Sequence, residues 1–471
     1  MKKVCLTSLF ISILFQLAAQ DIDARLGAAM RKLESDPQME NAIVALYVAD
    51  LKTGAEIYNR NGKVGLAPAS TQKIITSATA LELLGPSFRF VTKWGYGGAV
   101  KDGNLKGNLY LIPSGDPTLG SWRWNSTAPD SVIYALRSGL SREKIFSIEQ
   151  SEIIVADGGY RNELYPDGWI WQDIGNYYGA YHASLNWREN QFDILFKTGN
   201  NLGSPVSVNV FNPAYIGYSI NTALLTTAAK GSGDNAYVFL SPNVPGVLDV
   251  QGTLPAGELK FSISASHPDP LQYFNDFLQD GIGTNNKLSP LFSSPVLLTK
   301  SISNVPPLTT LANIYSPSLD SINYWFMKKS INLYGEALLR TLGLRNGKPG
   351  STEKGVEAIQ KFWSGKGIKP SAIQIVDGSG LSPQNRVTAQ SLVSILTFAK
   401  SRSWYQPFYH ALPEINGIKM KSGSISGSRA YAGYHTSKSG QQYAFAIIVN
   451  NYHGSASAIV RKMWTVLDQL K

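Results

Sequence analysis

The sequence predicts an α/β protein: one antiparallel sheet assembled from both ends of the chain, flanked by helices and interrupted by a large β-rich insertion. Three observations carry this. Two strand-like runs stand near the start, 42–50 and 55–59, and three near the end, 417–425, 430–436 and 442–450. From about Phe90 to Val296 the texture changes to short alternating segments divided by Gly, Asn, Asp and Pro. Helical periodicity returns only afterwards, over 324–342, 355–365 and 389–399.

Taken in order, residues 21–33 space Ile22, Leu26, Ala29, Met30 and Leu33 as a helical stripe. The run 42–50 is almost wholly apolar, as a buried strand is, and the turn Asp50-Leu51-Lys52-Thr53-Gly54 folds it onto 55–59 as a hairpin. A short loop then delivers Ser70 and an apolar helix that stops near Leu84-Gly85-Pro86. Inside the insertion, 107–111, 153–157, 205–209 and 236–240 read as strands. The last helix, 457–470, lines up Ile459, Val460, Met463, Val466, Leu467 and Leu470. Core packing is preferred for that stripe over a membrane anchor, because it follows a buried strand directly and its polar face is not strongly basic.

Of the 471 residues, 43% are hydrophobic and 16% charged, the composition of a globular chain long enough for two or three domains. Met1–Gln20 reads as a secretory signal: Lys2 and Lys3, an apolar run through Leu17, then Ala18-Ala19. The expected organisation is therefore a signal over 1–20, a discontinuous domain over 21–90 and 296–471, and an inserted β-rich region over 91–295 with two nested subdomains. The single cysteine, Cys5, lies within the signal, so the mature chain has no disulfide, thiolate nucleophile or cysteine metal site. The five histidines are scattered without H-E-x-x-H spacing, which disfavours a zinc hydrolase. The formal charge of +10 is not gathered in basic runs, so nucleic acid is not an expected partner.

Chemistry enters at Pro68-Ala69-Ser70-Thr71-Gln72-Lys73. Ser70 and Lys73 are three apart at a helix start, so hydroxyl and amine share a face, where a helix dipole favours developing negative charge. The bland alternative is an N-cap serine beside a solvated lysine, and S-x-x-K recurs at Ser141 and Ser351. No Gly-x-Ser-x-Gly elbow occurs, which leaves the S-x-x-K, S-x-N, K-[ST]-G set as the applicable nucleophile pattern. K-[ST]-G occurs at Lys52, Lys197, Lys421 and Lys438; only Lys421-Ser422-Gly423 lies within an extended segment, where an edge strand pairs with a peptide. Among several S-x-N matches, Ser330-Ile331-Asn332 is preferred over Ser321-Ile322-Asn323, because it stands at a corner feeding an apolar helix.

With these residues in place the chain resembles the class C low-molecular-mass penicillin-binding proteins, the D-alanyl-D-alanine carboxypeptidase/endopeptidase group. The likeness covers nearly the whole mature chain and includes Ser330–Glu336, Asp377-Gly378-Ser379-Gly380-Leu381-Ser382, Lys421-Ser422-Gly423-Ser424, Gly107–Leu111 with Gly115-Asp116-Pro117, and Ser184-Leu185-Asn186 leading to Glu189-Asn190. The gap of roughly 257 residues from Lys73 to Ser330 fits this group and not the more compact class A β-lactamases. Three positions depart from the usual pattern: Ile331 stands where Asp is commoner, Ser422 where Thr is frequent, and Pro383 where a basic residue is frequent.

The resemblance implies a β-lactamase/transpeptidase-like domain and an exported, periplasmic enzyme, at most loosely membrane-associated, with no stable membrane span. It implies peptidoglycan stem peptides as substrate, β-lactams as acylating inhibitors, and no metal or organic cofactor. On the same resemblance the expected roles are as follows: Lys73 takes the Ser70 proton, its basicity tuned by burial and the Lys421 charge. Backbone N–H groups of Ser70 and Ser424 form the oxyanion hole, one such donor contributing about 3 kcal/mol. Ser330 relays the proton to the leaving amine, and Asn332 holds the substrate amide. Lys421 with Ser422 and Ser424 binds the terminal carboxylate along the Gly423 strand. Asp157 reads first as a turn former; the resemblance also gives it a contact with a diamino acid of the stem peptide. Trp169, Trp171, Tyr177, Tyr178 and Tyr181 read as core packing, with a sugar platform as the alternative. The competing functions are a fast-deacylating β-lactamase and a wall-binding protein without catalysis.

Overall fold

In the computed structural model, residues 22–149, 152–161, 163–213, 216–283, 297–300, 305–345 and 349–471 are described. The expected signal, 1–20, lies outside them. They form two compact units: 22–86 with Ile322–Ile331 and Val356–Lys471, and Ser87–Ser321 with Asn332–Gly355.

The first unit is built on a six-stranded sheet in the order Glu414–Ile415, Ile418–Ile425, Ser428–Thr436, Gln442–Asn450, Ile43–Asp50, Glu56–Arg60. Every neighbouring pair is antiparallel, and the two ends of the chain meet where Ile43–Asp50 pairs with Gln442–Asn450, Val48 opposite Phe445. The strand period of two divides the side chains. Val44, Leu46, Val48, Phe445, Ile447 and Val449 face one way and bury Leu26, Met30, Ile459, Met463 and Val466 of the first and last helices. The predicted terminal stripe therefore lies in this core. Many of the intervening positions, Ala45, Ala49, Ala430, Ala432, Ala444 and Ala446, are small and fully or nearly buried. Small side chains there let the helix Ala389–Lys400 lie close on the sheet, and the Tyr434 hydroxyl donates to the Leu396 carbonyl at 2.7 Å.

The Lys421 strand is not outermost. After Leu412-Pro413 the chain adds Glu414–Ile415, but this pairs only with Ile418 and Lys419, so Met420–Ile425 has no strand partner on its outer side among the described residues.

The second unit holds a five-stranded sheet, Leu297–Lys300, Glu152–Val155, Asn104–Ile112, Val91–Lys101 and Thr309–Tyr315, to which Ser147–Ile148 adds, and two three-stranded sheets. One buried cluster runs from Trp94, Leu109 and Ile153 through Trp187 and Phe192 to Val238 and Val250. Alternating texture hid helices, among them Pro129–Arg142 and Pro270–Gly283. The first of these starts on a proline and buries Val132, Ile133, Leu136 and Leu140 at helical spacing. Gly139 lets it rest against the Leu311 backbone, where a Cβ would stand 2.6 Å from the carbonyl oxygen.

The second boundary of this unit lies later than the expected 296. Thr309–Tyr315 pairs with Val91–Lys101, and Asn332–Leu344 is anchored by Tyr334 and Arg340. Tyr334 donates to Glu189 at 2.8 Å, and the buried Arg340 guanidinium reaches the His182 carbonyl at 2.6 Å and the Gly350 carbonyl at 3.1 Å. Among the described residues, no helix is long and apolar enough to cross a membrane.

Candidate active site

Ser70 stands not at an α-helix N-cap but within a 3₁₀ turn, Ala69–Gln72, followed by the α-helix Lys73–Leu83. Ala69 carries φ +47, a left-handed conformation unusual outside glycine, immediately before the serine. Such local strain persists only where surrounding structure imposes it, and it is common at reactive turns. Here Gly380 presses on the turn from one side: a Cβ on it would lie 2.1 Å from the Ala69 carbonyl oxygen.

The i, i+3 relation expected from sequence places the Lys73 Nζ 2.9 Å from the Ser70 Oγ. Lys73 is fully buried, donates to the Ser379 carbonyl at 2.7 Å, and lies 5.8 Å from the centroid of the Phe326 ring. Ser379 is a partner that sequence reasoning left out. Its loop reads only as a Gly-Ser turn until Asp377 is located. That buried carboxylate accepts from the backbone N–H of Gly380 at 2.8 Å and of Ser382 at 2.7 Å, from Asn385 Nδ2 at 2.9 Å and from Gln72 Nε2 at 3.0 Å. Thr76 on the Ser70 helix adds a bond to the Gly378 carbonyl at 2.7 Å. The loop is thus organised around one charge and aims a carbonyl at the Lys73 amine; charge-assisted bonds of this kind are the stronger class.

Lys421 and Gly423 share one face of their strand, the face of Ala432, and Gly423 abuts the serine turn. A Cβ on Gly423 would stand 2.4 Å from the Pro68 carbonyl oxygen and 3.1 Å from the Ser70 nitrogen, an approach that only glycine permits. Lys421 is 2% exposed, and burial pushes its ammonium down to about 7. Its Nζ donates to the Ser422 carbonyl at 2.9 Å, and among the described residues no carboxylate pairs with it. Ser422, half-buried, and Ser424, exposed, take the alternate positions.

Ser330 has φ +58 and forms the corner after the helix Leu319–Lys328. The part of that helix in this unit packs on the Ser70 helix: Ser77 donates to Asn323 at 2.5 Å, and Phe326 covers Lys73. The first unit therefore brings together Ser70, Lys73, Lys421 and the Gly423 strand, with Ser330 at the corner just beyond a helix packed against the Lys73 helix.

Asn332 and Asp157 belong to the second unit. Asn332 opens the helix Asn332–Leu344, is 7% exposed, and donates to the Tyr178 carbonyl at 2.8 Å. Its helix is pinned through Tyr334 to Glu189, a buried carboxylate that also accepts from Ser121 at 2.8 Å and Arg123 at 2.9 Å. Asp157 is half-buried and accepts from the Gly159 N–H at 2.9 Å, a turn-forming bond. It also lines a cavity of about 370 Å³ with Tyr160, Arg161, Glu163, Tyr181 and Asp269. No cluster of His, Cys, Asp and Glu able to hold a metal occurs among the described residues.

The chain is similar along most of its length to known proteins. It is 27% identical to a D-alanyl-D-alanine carboxypeptidase of Actinomadura sp. (strain R39) over 468 residues, 94% of this chain and 82% of that one. It is 24% identical to the D-alanyl-D-alanine carboxypeptidase DacB of Haemophilus influenzae over 440 residues, 88% and 86% of the two chains. The fold matches the crystal structure of penicillin binding protein 4 (dacB) from Haemophilus influenzae with a TM-score of 0.76 at 21% identity, covering 96% of this chain and 99% of that one. This agrees with the fold class expected from sequence. The family model described as the D-Ala-D-Ala carboxypeptidase 3 (S13) family matches residues 26–470, and the chain belongs to that family.

Proposed function

We propose that the chain is a serine-type D-alanyl-D-alanine carboxypeptidase, with DD-endopeptidase activity at the same site, acting on peptidoglycan stem peptides through a Ser70 acyl-enzyme. The observation that carries this reading is the Lys73 Nζ, 2.9 Å from the Ser70 Oγ and held by the Ser379 carbonyl. In its neutral form the amine takes the hydroxyl proton as Ser70 attacks the carbonyl of the penultimate D-Ala. The Ser70 and Ser424 N–H groups stabilise the oxyanion, and Gly423 supports this by letting strand and turn approach. Ser330 returns the proton to the departing D-Ala amine. Asn332 holds the substrate amide, and Lys421 with Ser422 and Ser424 receives the terminal carboxylate. Water then releases the shortened peptide. Asp157 contacts the amine of a diamino acid at the third stem position. No step requires a metal or organic cofactor. The enzyme acts after export, in the periplasm, and β-lactams acylate Ser70 as slowly released substrate analogues.

A gel assay with a fluorescent penicillin tests the reading, with Ser70→Ala as control. Stable label on the wild type and none on the variant is expected. Transient label with rapid drug hydrolysis identifies a β-lactamase instead, and absence of label a non-catalytic binder. Mass spectrometry of muropeptide digests then separates carboxypeptidase from endopeptidase products.

A further inference from the structure

Only part of the aromatic segment of the second unit forms the core packing expected from sequence. Trp169 and Tyr181 are buried, their rings 6.3 and 5.2 Å from that of Tyr165. Trp171 and Tyr177, however, are 50% and 52% exposed, and Tyr237 of the adjacent strand Asn235–Leu240 is 39% exposed. Their backbone is rigidly held. Asn176 accepts from the Val238 N–H at 3.1 Å and donates to the Gln172 carbonyl at 2.7 Å. Gly175 lies so close to the Val238 carbonyl that a Cβ would stand 2.1 Å from it. The backbone beside these rings is thus tied to a packed scaffold while the rings are left facing solvent, as in a preformed binding surface.

Polar groups accompany them. Asp173, two residues after Trp171, is half-buried and hydrogen-bonded to Tyr178, and burial raises its carboxyl to about 6. The Tyr177 and Tyr178 rings meet edge to face at 5.4 Å. Exposed aromatic faces beside a carboxyl and phenolic hydroxyls suit a pyranose, whose C–H face stacks on a ring while its rim offers hydroxyls and amides. The place in the unit is also informative. The Tyr178 carbonyl takes the Asn332 amide at 2.8 Å, so the ledge is joined directly to the residue assigned to the substrate's peptide.

We propose that Trp171, Tyr177 and Tyr237, with the Asp173 carboxyl, form a platform for the amino-sugar chain to which the stem peptide is attached. This rests on the reading that the enzyme acts on peptidoglycan. The platform selects peptides still joined to glycan over free peptides.

The test compares wild type with Trp171→Ala/Tyr177→Ala in two measurements. In the first, a tetramer of N-acetylglucosamine is titrated into Ser70→Ala protein with and without the two ring substitutions, followed by NMR shifts. In the second, KM is measured for a free pentapeptide and for the same peptide on its disaccharide. Removing two exposed rings is expected to weaken tetramer binding and raise KM for the disaccharide peptide roughly tenfold, leaving the free peptide and kcat unchanged. Equal loss on both peptides, or tetramer binding that the substitutions do not alter, overturns the proposal. So does a wild type that neither binds the tetramer nor prefers the disaccharide peptide. If wild type cleaves neither peptide, the peptidase reading fails by itself, and the tetramer titration still decides the platform.

Discussion

Gly423→Ala probes the contact between the Lys421 strand and the serine turn. The added Cβ would fall 2.4 Å from the Pro68 carbonyl oxygen, 3.0 Å from the Thr71 nitrogen and 3.1 Å from the Ser70 nitrogen. All three are backbone atoms, and none can swing aside as a long side chain would. Real Cβ atoms keep at least 3.0 Å from such neighbours, so strand and turn must part by about 0.6 Å. The strand is the stiffer side, locked to Ser428–Tyr434 from Ile425 back to Lys419. The turn yields instead, and with it Ser70, whose neighbour Ala69 is already in the left-handed region. A 1 Å misplacement can cost about 100-fold in rate, so a displacement of this size should slow acylation about 10- to 100-fold. Overpacking should cost about 1–3 kcal/mol of stability, small enough to leave the protein folded. The assay is the second-order rate of labelling by a fluorescent penicillin, with a thermal melt by circular dichroism. Gly440→Ala is the control: its φ of +86 strains an alanine, but nothing lies within 4 Å of the new Cβ. It should lower Tm without slowing acylation. Gly423→Ala acylating within twofold of wild type would refute the view that this glycine sets the position of the nucleophile.

Two further predictions concern pH. Lys421, lowered to about 7, keeps its charge below that value and loses it as pH rises through it. If it binds the substrate carboxylate, kcat/KM for a carboxylate-ended peptide should fall above pH 7, and Lys421→Arg should move that limb upward; a flat profile from pH 6 to 9 contradicts the assignment. Asp116 is fully buried; Thr118 donates to its Oδ1 at 2.8 and 2.7 Å, while Oδ2 has no hydrogen-bond partner among the described residues. Burial raises this carboxyl from 3.8 to about 6, so the folded state prefers it protonated. Its contribution to stability is complete below the unfolded value and is lost as pH rises through about 6, a change of roughly 3 kcal/mol. Asp116→Asn should remove this loss, and urea denaturation at pH 5 and pH 8 should show the variant gaining on wild type at the higher pH.

Much of the scaffold was legible in the chain because it is recorded locally. Strands buried on both faces leave apolar runs such as 43–49 and 443–449, and a helix start makes Ser70 and Lys73 neighbours by periodicity alone. Lys421 could be chosen because three other K-[ST]-G matches read as turns or loops. The local record fails where a residue's meaning depends on something distant in sequence. Ser379 matters through the direction of its carbonyl, which Asp377 sets with bonds to Gln72 and Asn385 as well as its own loop. Gly423 matters because the Pro68–Thr71 backbone occupies the space of a side chain. Trp169 and Trp171 are two residues apart and the same amino acid, yet one is buried and the other half exposed. Residue type and spacing determined which groups could react and which segments could pair. Only the tertiary structure decided which backbone atoms close around the nucleophile and which rings stay in water, because burial and close approach are properties of what the rest of the chain brings to a point.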